Sequence, residues 1–291
     1  MENPDPLGRK YKPSYKVTKY LEGLLDVSEI RKQFVPSEEE LSDSGDIDPL
    51  SETEHIVAPK CVHKYADRIL IWANNVCFAN CRFCTRRRMI KKRESIITES
   101  DVDAIVSYLN RNPEIRDVIV SGGDPLVLSN TQLKYILSSL RKVPTVEIIR
   151  VGTRAPIVQP KRVTSKLVAI LARLRPIYVN LHVNHPAELT DEVKRACDLM
   201  VDNGIVLGSQ TVLLKGVNDN VNTLRSLFQK LLVFRVKPYY LYLADHVQGT
   251  KHFWTSEAEA ADLMKELRRV TSGLCIPHCV RDTSERKELI L

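Results

Sequence analysis

The 291-residue chain has no apolar run of 18 residues, so a membrane-spanning helix and a membrane partner are not expected. It opens Met1-Glu2-Asn3-Pro4-Asp5-Pro6, which lacks the apolar core of a secretion signal. Its 7 cysteines are odd in number in a large chain, which argues against a disulfide framework. Free thiols without a secretory start point to a reducing cytoplasm. No aromatic platform interleaves the main basic segment, as a surface stacking on nucleic-acid bases would require. Short repeats and low-complexity tracts are also missing. What remains is ordinary: 43% hydrophobic residues and enough length for one barrel-sized domain plus an extension.

The formal net charge is +7, and much of it comes from one run: Arg82, Arg86, Arg87, Arg88, Lys91, Lys92 and Arg93. Such runs are most often solvated faces. Here the run begins inside a group of cysteines, and at least one arginine is expected to bind a small anion, a phosphate or a carboxylate. Nucleic acid is the weaker reading of the same charge.

Those cysteines are Cys77, Cys81 and Cys84, in the sequence Cys77-Phe-Ala-Asn-Cys81-Arg-Phe-Cys84. Three thiolates can hold three irons of a [4Fe–4S] cube and leave the fourth open to a bound molecule. Zinc is the rival, but a structural zinc site wants four ligands and no second pair follows at finger spacing. Cys275 and Cys279 flank His278 far along the chain, and a site joining both regions stays open. The simpler reading of Cys61, Cys197, Cys275 and Cys279 is four small buried side chains.

Residues 1–68 are rich in proline and acid, with a loop expected around Pro36–Glu40 and Ser42–Asp46 and one or two helices within Tyr15–Phe34. They read as a mainly helical extension. From Ile69 onward the pattern alternates. Strands are predicted at Ile69–Ala73, Asp117–Val120, Val146–Val151, Ile177–His182, Ile205–Val212 and Val236–Leu243. Helices are predicted at Glu99–Asn110, Thr131–Lys142, Thr164–Leu174, Thr190–Asn203, Asn220–Phe234 and Ser256–Val270. Strand–helix alternation argues for an α/β fold with a parallel sheet. Six units fit a partial (β/α)6 barrel over residues 69–282, with a tail at 283–291. Function in such folds sits at the C-terminal ends of strands. There the polar residues collect: Cys77–Cys84, Ser121–Asp124, Thr153 and Arg154, His182 to His185, Gln210, and Asp245 with His246.

Together with Thr85-Arg86-Arg87-Arg88, Ser121-Gly122-Gly123-Asp124, Asn184-His185-Pro186, the Gln210–Asp219 segment and Pro238-Tyr239-Tyr240, the cysteine run resembles the lysine 2,3-aminomutase family of radical SAM enzymes. That family includes the branch that makes β-lysine for elongation factor P, and the resemblance spans roughly residues 46–282. It implies a [4Fe–4S] cluster, S-adenosylmethionine (SAM) cleaved to a 5′-deoxyadenosyl radical, and an amino group that migrates while held as an imine on pyridoxal phosphate. It also implies an isomerase reaction, L-lysine to β-lysine, and a flavodoxin- or ferredoxin-like electron donor. Residue by residue, Cys77, Cys81 and Cys84 match the cluster ligands. Gly122, Gly123, Asp124, Thr153 and His182 match positions around SAM. Lys64 and Arg68 match a basic pair at the pyridoxal phosphate, and Gln210 matches a further cofactor-site contact. Arg86 matches the fork on the substrate carboxylate, and Asp245 and Asp282 match the acids that hold its distal ammonium, a pair that would repel glutamate.

The match breaks after Asp282. The family places its pyridoxal lysine in a glycine-rich segment followed by Lys-Thr-Pro. Here Asp282-Thr-Ser-Glu-Arg-Lys287 has no glycine, and Lys287 falls two positions early. Lys287 is the candidate that remains, although a surface residue on a frayed end is the expected alternative. The family's zinc-binding tail is likewise not matched, so a homo-oligomer stays open but not by the family's mode. Two other readings stay open: the same radical chemistry without pyridoxal phosphate, and a non-enzymatic metal- or RNA-binding remnant.

Overall fold

The computed structural model describes residues 14–42, 44–90 and 95–290. Met1–Pro6, Asp43, Lys91, Lys92, Arg93 and Leu291, used above, lie outside them. Ten strands form one sheet in sequence order. They are β1 (Ile56–Ala58), β2 (Cys61–Tyr65), β3 (Arg68–Asn74), β4 (Asp117–Gly122), β5 (Ile148–Thr153), β6 (Ile177–His182), β7 (Val206–Leu213), β8 (Lys237–Leu243), β9 (His278–Asp282) and β10 (Lys287–Leu289). β3 to β9 run parallel, while β1, β2 and β10 pair antiparallel at the two margins. The six expected strands are present, and β9 adds a seventh parallel one.

Nine helices accompany the sheet among the described residues: α1 (Lys19–Glu22), α2 (Ser28–Phe34), α3 (Glu99–Arg111), α4 (Asn130–Arg141), α5 (Ala155–Val158), α6 (Ser165–Ala172), α7 (Asp191–Asp202), α8 (Val221–Val233) and α9 (Glu257–Val270). The six longer crossover helices begin at Thr98, Ser129, Thr164, Thr190, Asn220 and Ser256. Each of these accepts a hydrogen bond from the backbone N–H three residues on. The caps fix where each of these helices starts, and the longest strand-to-helix connection, between β3 and α3, carries the three cysteines. None of the helices is long and apolar enough to cross a membrane, among the described residues.

Burial along the parallel strands alternates. Ile149 and Val151 of β5 are buried under the helices, whereas Ile148, Arg150 and Gly152 are partly exposed. β3 and β7 repeat the pattern. A strand packed on both faces would be buried throughout. The hydrophobic core therefore lies between sheet and helices, and the concave face lines an accessible interior. Its residues are largely polar: Arg68, Asp117, Arg150, Gln210, Tyr240 and Tyr242.

The sheet does not close, and side chains cross the gap. Tyr65 Oη donates to Asp282 Oδ1 at 2.9 Å, and Lys64 Nζ donates to the Thr283 carbonyl. The segment read as a helical extension thus also carries β1 and β2, and its helices are short. Lys287 is not on a frayed end: it lies in β10, opposite Asp282, with 19% of its side chain exposed.

Candidate active site

Cys77, Cys81 and Cys84 are free and partly exposed in the loop after β3. Their surroundings splint this loop. Asn74, the last residue of β3, donates from Nδ2 to the Asp124 carbonyl at 2.9 Å, and its Oδ1 accepts from Val76 N at 2.7 Å. Gly123 N and Asp124 N donate back to the carbonyls of Asn74 and Val76 at 2.6 and 2.8 Å. A Cβ on Gly122, whose φ is +115°, would lie 2.4 Å from the Asn74 carbonyl oxygen, and one on Gly123 would lie 2.4 Å from that of Val76. The two glycines thus let the β4 turn lie against the cysteine loop. The close approach they permit in this structure is to the chain's own backbone.

The Asp124 carboxylate is buried and fully engaged. It accepts from Thr153 Oγ1 at 2.7 Å, Arg154 N at 2.8 Å and Leu126 N at 2.9 Å. Asp124 and Thr153 therefore join the ends of β4 and β5. His182 ends β6 with its ring 5.4 Å from that of Phe83. Its Nε2 is buried without a partner among the described residues, and burial pushes its pKa down to about 3. The ring also hydrogen-bonds with the Asn184 side chain. A buried, unprotonated nitrogen left without a partner beside the ring of Phe83 suits a bound ligand.

Burial, then the neighbouring Cys81 thiol, raise the Cys84 pKa to about 11, and burial, then Cys84, also raise that of Cys77. Among the described residues no three His, Cys, Asp or Glu side chains converge as ligands of one ion would. Cysteines at separate corners of a cube need not converge. Cys61, Cys197, Cys275 and Cys279 are all at most 3% exposed within the hydrophobic core, as the simpler reading expected, and no joint site with the loop forms.

The arginine run is paired with acids of the N-terminal segment. Arg82, fully buried, donates from Nε and Nη2 to Glu40 at 2.8 and 2.6 Å. Arg87 Nη2 reaches the same carboxylate at 2.7 Å, and Arg88 pairs with Asp48 at 2.9 Å. Arg86 forks onto Glu52, Nε to Oε2 at 2.9 Å and Nη2 to Oε1 at 2.5 Å, while its Nη1 reaches Ser121 Oγ at 3.3 Å. The guanidinium matched to a substrate carboxylate thus holds a carboxylate of its own chain. Glu40 and Glu52 were not singled out from sequence, since an acid 34 or more residues upstream gives no local signal.

Asp245 Oδ2 accepts from Thr85 Oγ1 at 2.6 Å. Burial raises its pKa to about 6, and the nearby Asp282 and Glu52 carboxylates add to the rise. Asp282 lies 3.4 Å from Lys287 Nζ. That ammonium also donates to Tyr242 Oη at 2.6 Å and lies 4.6 Å from the centre of the Tyr240 ring. Burial lowers its pKa. Arg68 stacks on Tyr65 at 4.1 Å without an acid partner among the described residues, so its charge is available to an anion. Lys64 is turned instead to the β9–β10 turn. Gln210 Nε2 lies 3.4 Å from Tyr242 Oη, on the interior wall.

A seven-strand parallel half-barrel, with three free thiols after its first parallel strand and an imidazole whose Nε2 is unpartnered near them, agrees with the comparisons. Residues 73–227, more than half of the chain, match the family model of the Radical SAM superfamily, to which the chain belongs. Among solved structures it shares the fold of Streptococcus suis SuiB bound to S-adenosylmethionine (TM-score 0.57, 14% identity, 75% of this chain and 51% of that one). A radical SAM methyltransferase from Sphaerobacter thermophilus gives a TM-score of 0.55 at 16% identity, covering 78% of this chain and 72% of that one.

Within that superfamily the chain belongs to the lysine 2,3-aminomutase family. It is 42% identical over 253 residues to a putative L-lysine 2,3-aminomutase of Aquifex aeolicus, covering 85% of this chain and 68% of the relative. It is also 42% identical over 272 residues to the L-lysine 2,3-aminomutase of Acetoanaerobium sticklandii (91% and 66%). A glutamate 2,3-aminomutase of Clostridioides difficile is 41% identical over 244 residues (84% and 58%). The chain spans about two thirds of the length of the curated relatives it matches first.

Proposed function

We propose that the chain carries out a radical 2,3-aminomutase reaction on an L-α-amino acid with a cationic tail, L-lysine giving β-lysine. Overall identity is no guide to the substrate, because a lysine and a glutamate aminomutase match about equally well. The observation that carries the choice is the acid pair. Asp245 and Asp282 lie close enough for one charge to raise the pKa of the other, in a partly buried wall of the interior. Two carboxylates there favour an ammonium and penalise a second carboxylate.

The remaining residues take roles by the chemistry they offer. Cys77, Cys81 and Cys84 suit a [4Fe–4S] cluster, and Gly122, Gly123, Asp124 and Thr153 hold the wall against which SAM would bind. His182 Nε2 offers that ligand a hydrogen-bonding atom. Arg68, stacked on Tyr65 and in no salt bridge among the described residues, suits the phosphate of pyridoxal phosphate, with Lys64 near the gap, and Gln210 offers its amide to a cofactor from the opposite part of the interior wall. Lys287, an amine whose pKa burial lowers, is the lysine we assign to bond that cofactor. When bound, the cluster and SAM supply the radical that abstracts hydrogen, and pyridoxal phosphate carries the nitrogen that moves. Arg86 would grip the substrate carboxylate through the Nη1 edge that faces Ser121, or by displacing Glu52. A low-potential electron donor of the flavodoxin or ferredoxin kind, in the reducing cytoplasm, completes the system.

The test is anaerobic reconstitution with iron and sulfide, followed by incubation with SAM, dithionite, pyridoxal phosphate and either lysine or glutamate. Formation of 5′-deoxyadenosine with β-lysine is expected, and β-glutamate is not. Absence of 5′-deoxyadenosine with every amino acid tried overturns the enzymatic reading. Borohydride reduction and peptide mapping test Lys287 separately.

A further inference from the structure

We propose that Arg154 sets the reduction potential of the cluster held by Cys77, Cys81 and Cys84, as a fixed cation and hydrogen-bond donor to the Cys81 sulfur. The proposal rests on the cluster reading above and extends it to a residue that no motif match assigns.

Arg154 follows β5, and its Nη1 lies 2.8 Å from Cys81 Sγ. The rest of the side chain is immobilised. Nη2 donates to Gln33 Oε1 at 2.6 Å and to Glu188 Oε1 at 2.5 Å. The guanidinium lies over the Phe34 ring at 4.4 Å and near the Phe83 ring at 5.4 Å. Its backbone N–H is fixed by Asp124 at 2.8 Å, and the residue is only 8% exposed. Its partners are held in turn. Gln33 Oε1 also accepts from Asn184 Nδ2 at 3.0 Å, and Glu188 Oε2 accepts from Asn184 N at 2.6 Å and His185 N at 2.9 Å. A cation held from so many sides in a site shielded from water cannot swing away, and water screens it weakly.

Reduction adds one electron from the low-potential donor to the cluster, and no bond forms or breaks. The added charge spreads partly onto the cysteine sulfurs. A guanidinium N–H pointing at one of them stabilises the reduced form more than the oxidised one, and hydrogen bonds to the sulfurs are among the terms that set such potentials. Glu188 offsets part of the Arg154 charge, so the two residues act in opposite directions. Arg154 is a positioning residue here: it touches a ligand of the cluster and not the substrate.

The experiment is a redox titration of the reconstituted full chain without SAM, following the electron paramagnetic resonance signal of the reduced cluster. Iron and sulfide are assayed on every sample. At the wild-type midpoint, Arg154→Gln is expected to lower the reduced-to-oxidised ratio about tenfold, which corresponds to ~59 mV for a one-electron couple. Arg154→Lys, which keeps the charge, is expected to shift less. Glu188→Gln is expected to move the midpoint upward. Variants that load a full cluster and titrate as the wild type does overturn the proposal. If Arg154→Gln does not load, Glu188→Gln and Arg154→Lys decide it: unshifted midpoints in both overturn it. A wild-type chain that assembles no [4Fe–4S] signal overturns the cluster reading itself.

Discussion

Glu40→Ala is the most direct probe of how the cysteine loop is held. The Glu40 carboxylate accepts from two guanidiniums, Arg82 at 2.6 and 2.8 Å and Arg87 at 2.7 Å, and is almost fully buried beside them. Arg87 keeps its bonds to the carbonyls of Arg82 and Gly249, both at 3.0 Å. Arg82, fully buried, loses two charge-assisted hydrogen bonds to this carboxylate. Removing one partner of a buried ion pair costs about 3–5 kcal/mol. Domains are stable by only about 5–15 kcal/mol, so this is a large fraction of the total. For a chain of this size the melting temperature should fall by roughly 6–20 °C. The assay is thermal and urea unfolding of the metal-free protein, with iron content after reconstitution as a second readout. Glu40→Gln, which keeps the shape and one acceptor, should lie between. A Glu40→Ala protein that unfolds within about 1 kcal/mol of wild type refutes the claim that this pair anchors the loop.

Four further outcomes are expected. Asp245 has a folded pKa of about 6 against an ordinary 3.8, so its contribution to stability is present below 3.8 and is lost as pH rises through 6. Because a bound ammonium favours the charged carboxylate, lysine affinity measured by calorimetry should rise through the same window, and Asp245→Asn should flatten it. Gly123→Ala places a Cβ 2.4 Å from the Val76 carbonyl oxygen and should cost about 1–3 kcal/mol while halving iron uptake or worse; normal uptake would contradict the splint. Glu52→Gln weakens the carboxylate already held by Arg86, so the KM for lysine should fall several-fold; an unchanged KM would show that substrate does not compete there. Lys287→Met should abolish any borohydride-trapped pyridoxal adduct, and an adduct that persists would place the bond on another lysine.

The parallel strands and crossover helices were legible because their signals are local. β-Branched runs such as Ile148–Val151 alternate with capped segments such as Thr98 to Asp101, and neither depends on distant residues. The three-cysteine run is visible from spacing alone, and the structure adds that its thiols are free in the loop after β3. β1, β2, β9 and β10 were not, because segments of three to five residues such as Ile56–Ala58 and His278–Asp282 become strands only when a neighbour supplies the pairing. The arginine run was legible as a charge and not as a set of contacts. Reading Arg82 as paired with Glu40 requires knowing that the extension folds back over the loop. The Gly122-Gly123-Asp124 turn was found as a motif, whereas its packing on Asn74 and Val76 is a property of two strands side by side.

The partly exposed concave face has a consequence for how this protein can change over time. Stability resides in the layer between sheet and helices, so side chains on the partly exposed inner face are less constrained by packing than those beneath the helices. Drift in the choice of amino acid is therefore open to single substitutions inside the cavity. The residues that splint the cysteine loop offer no such freedom.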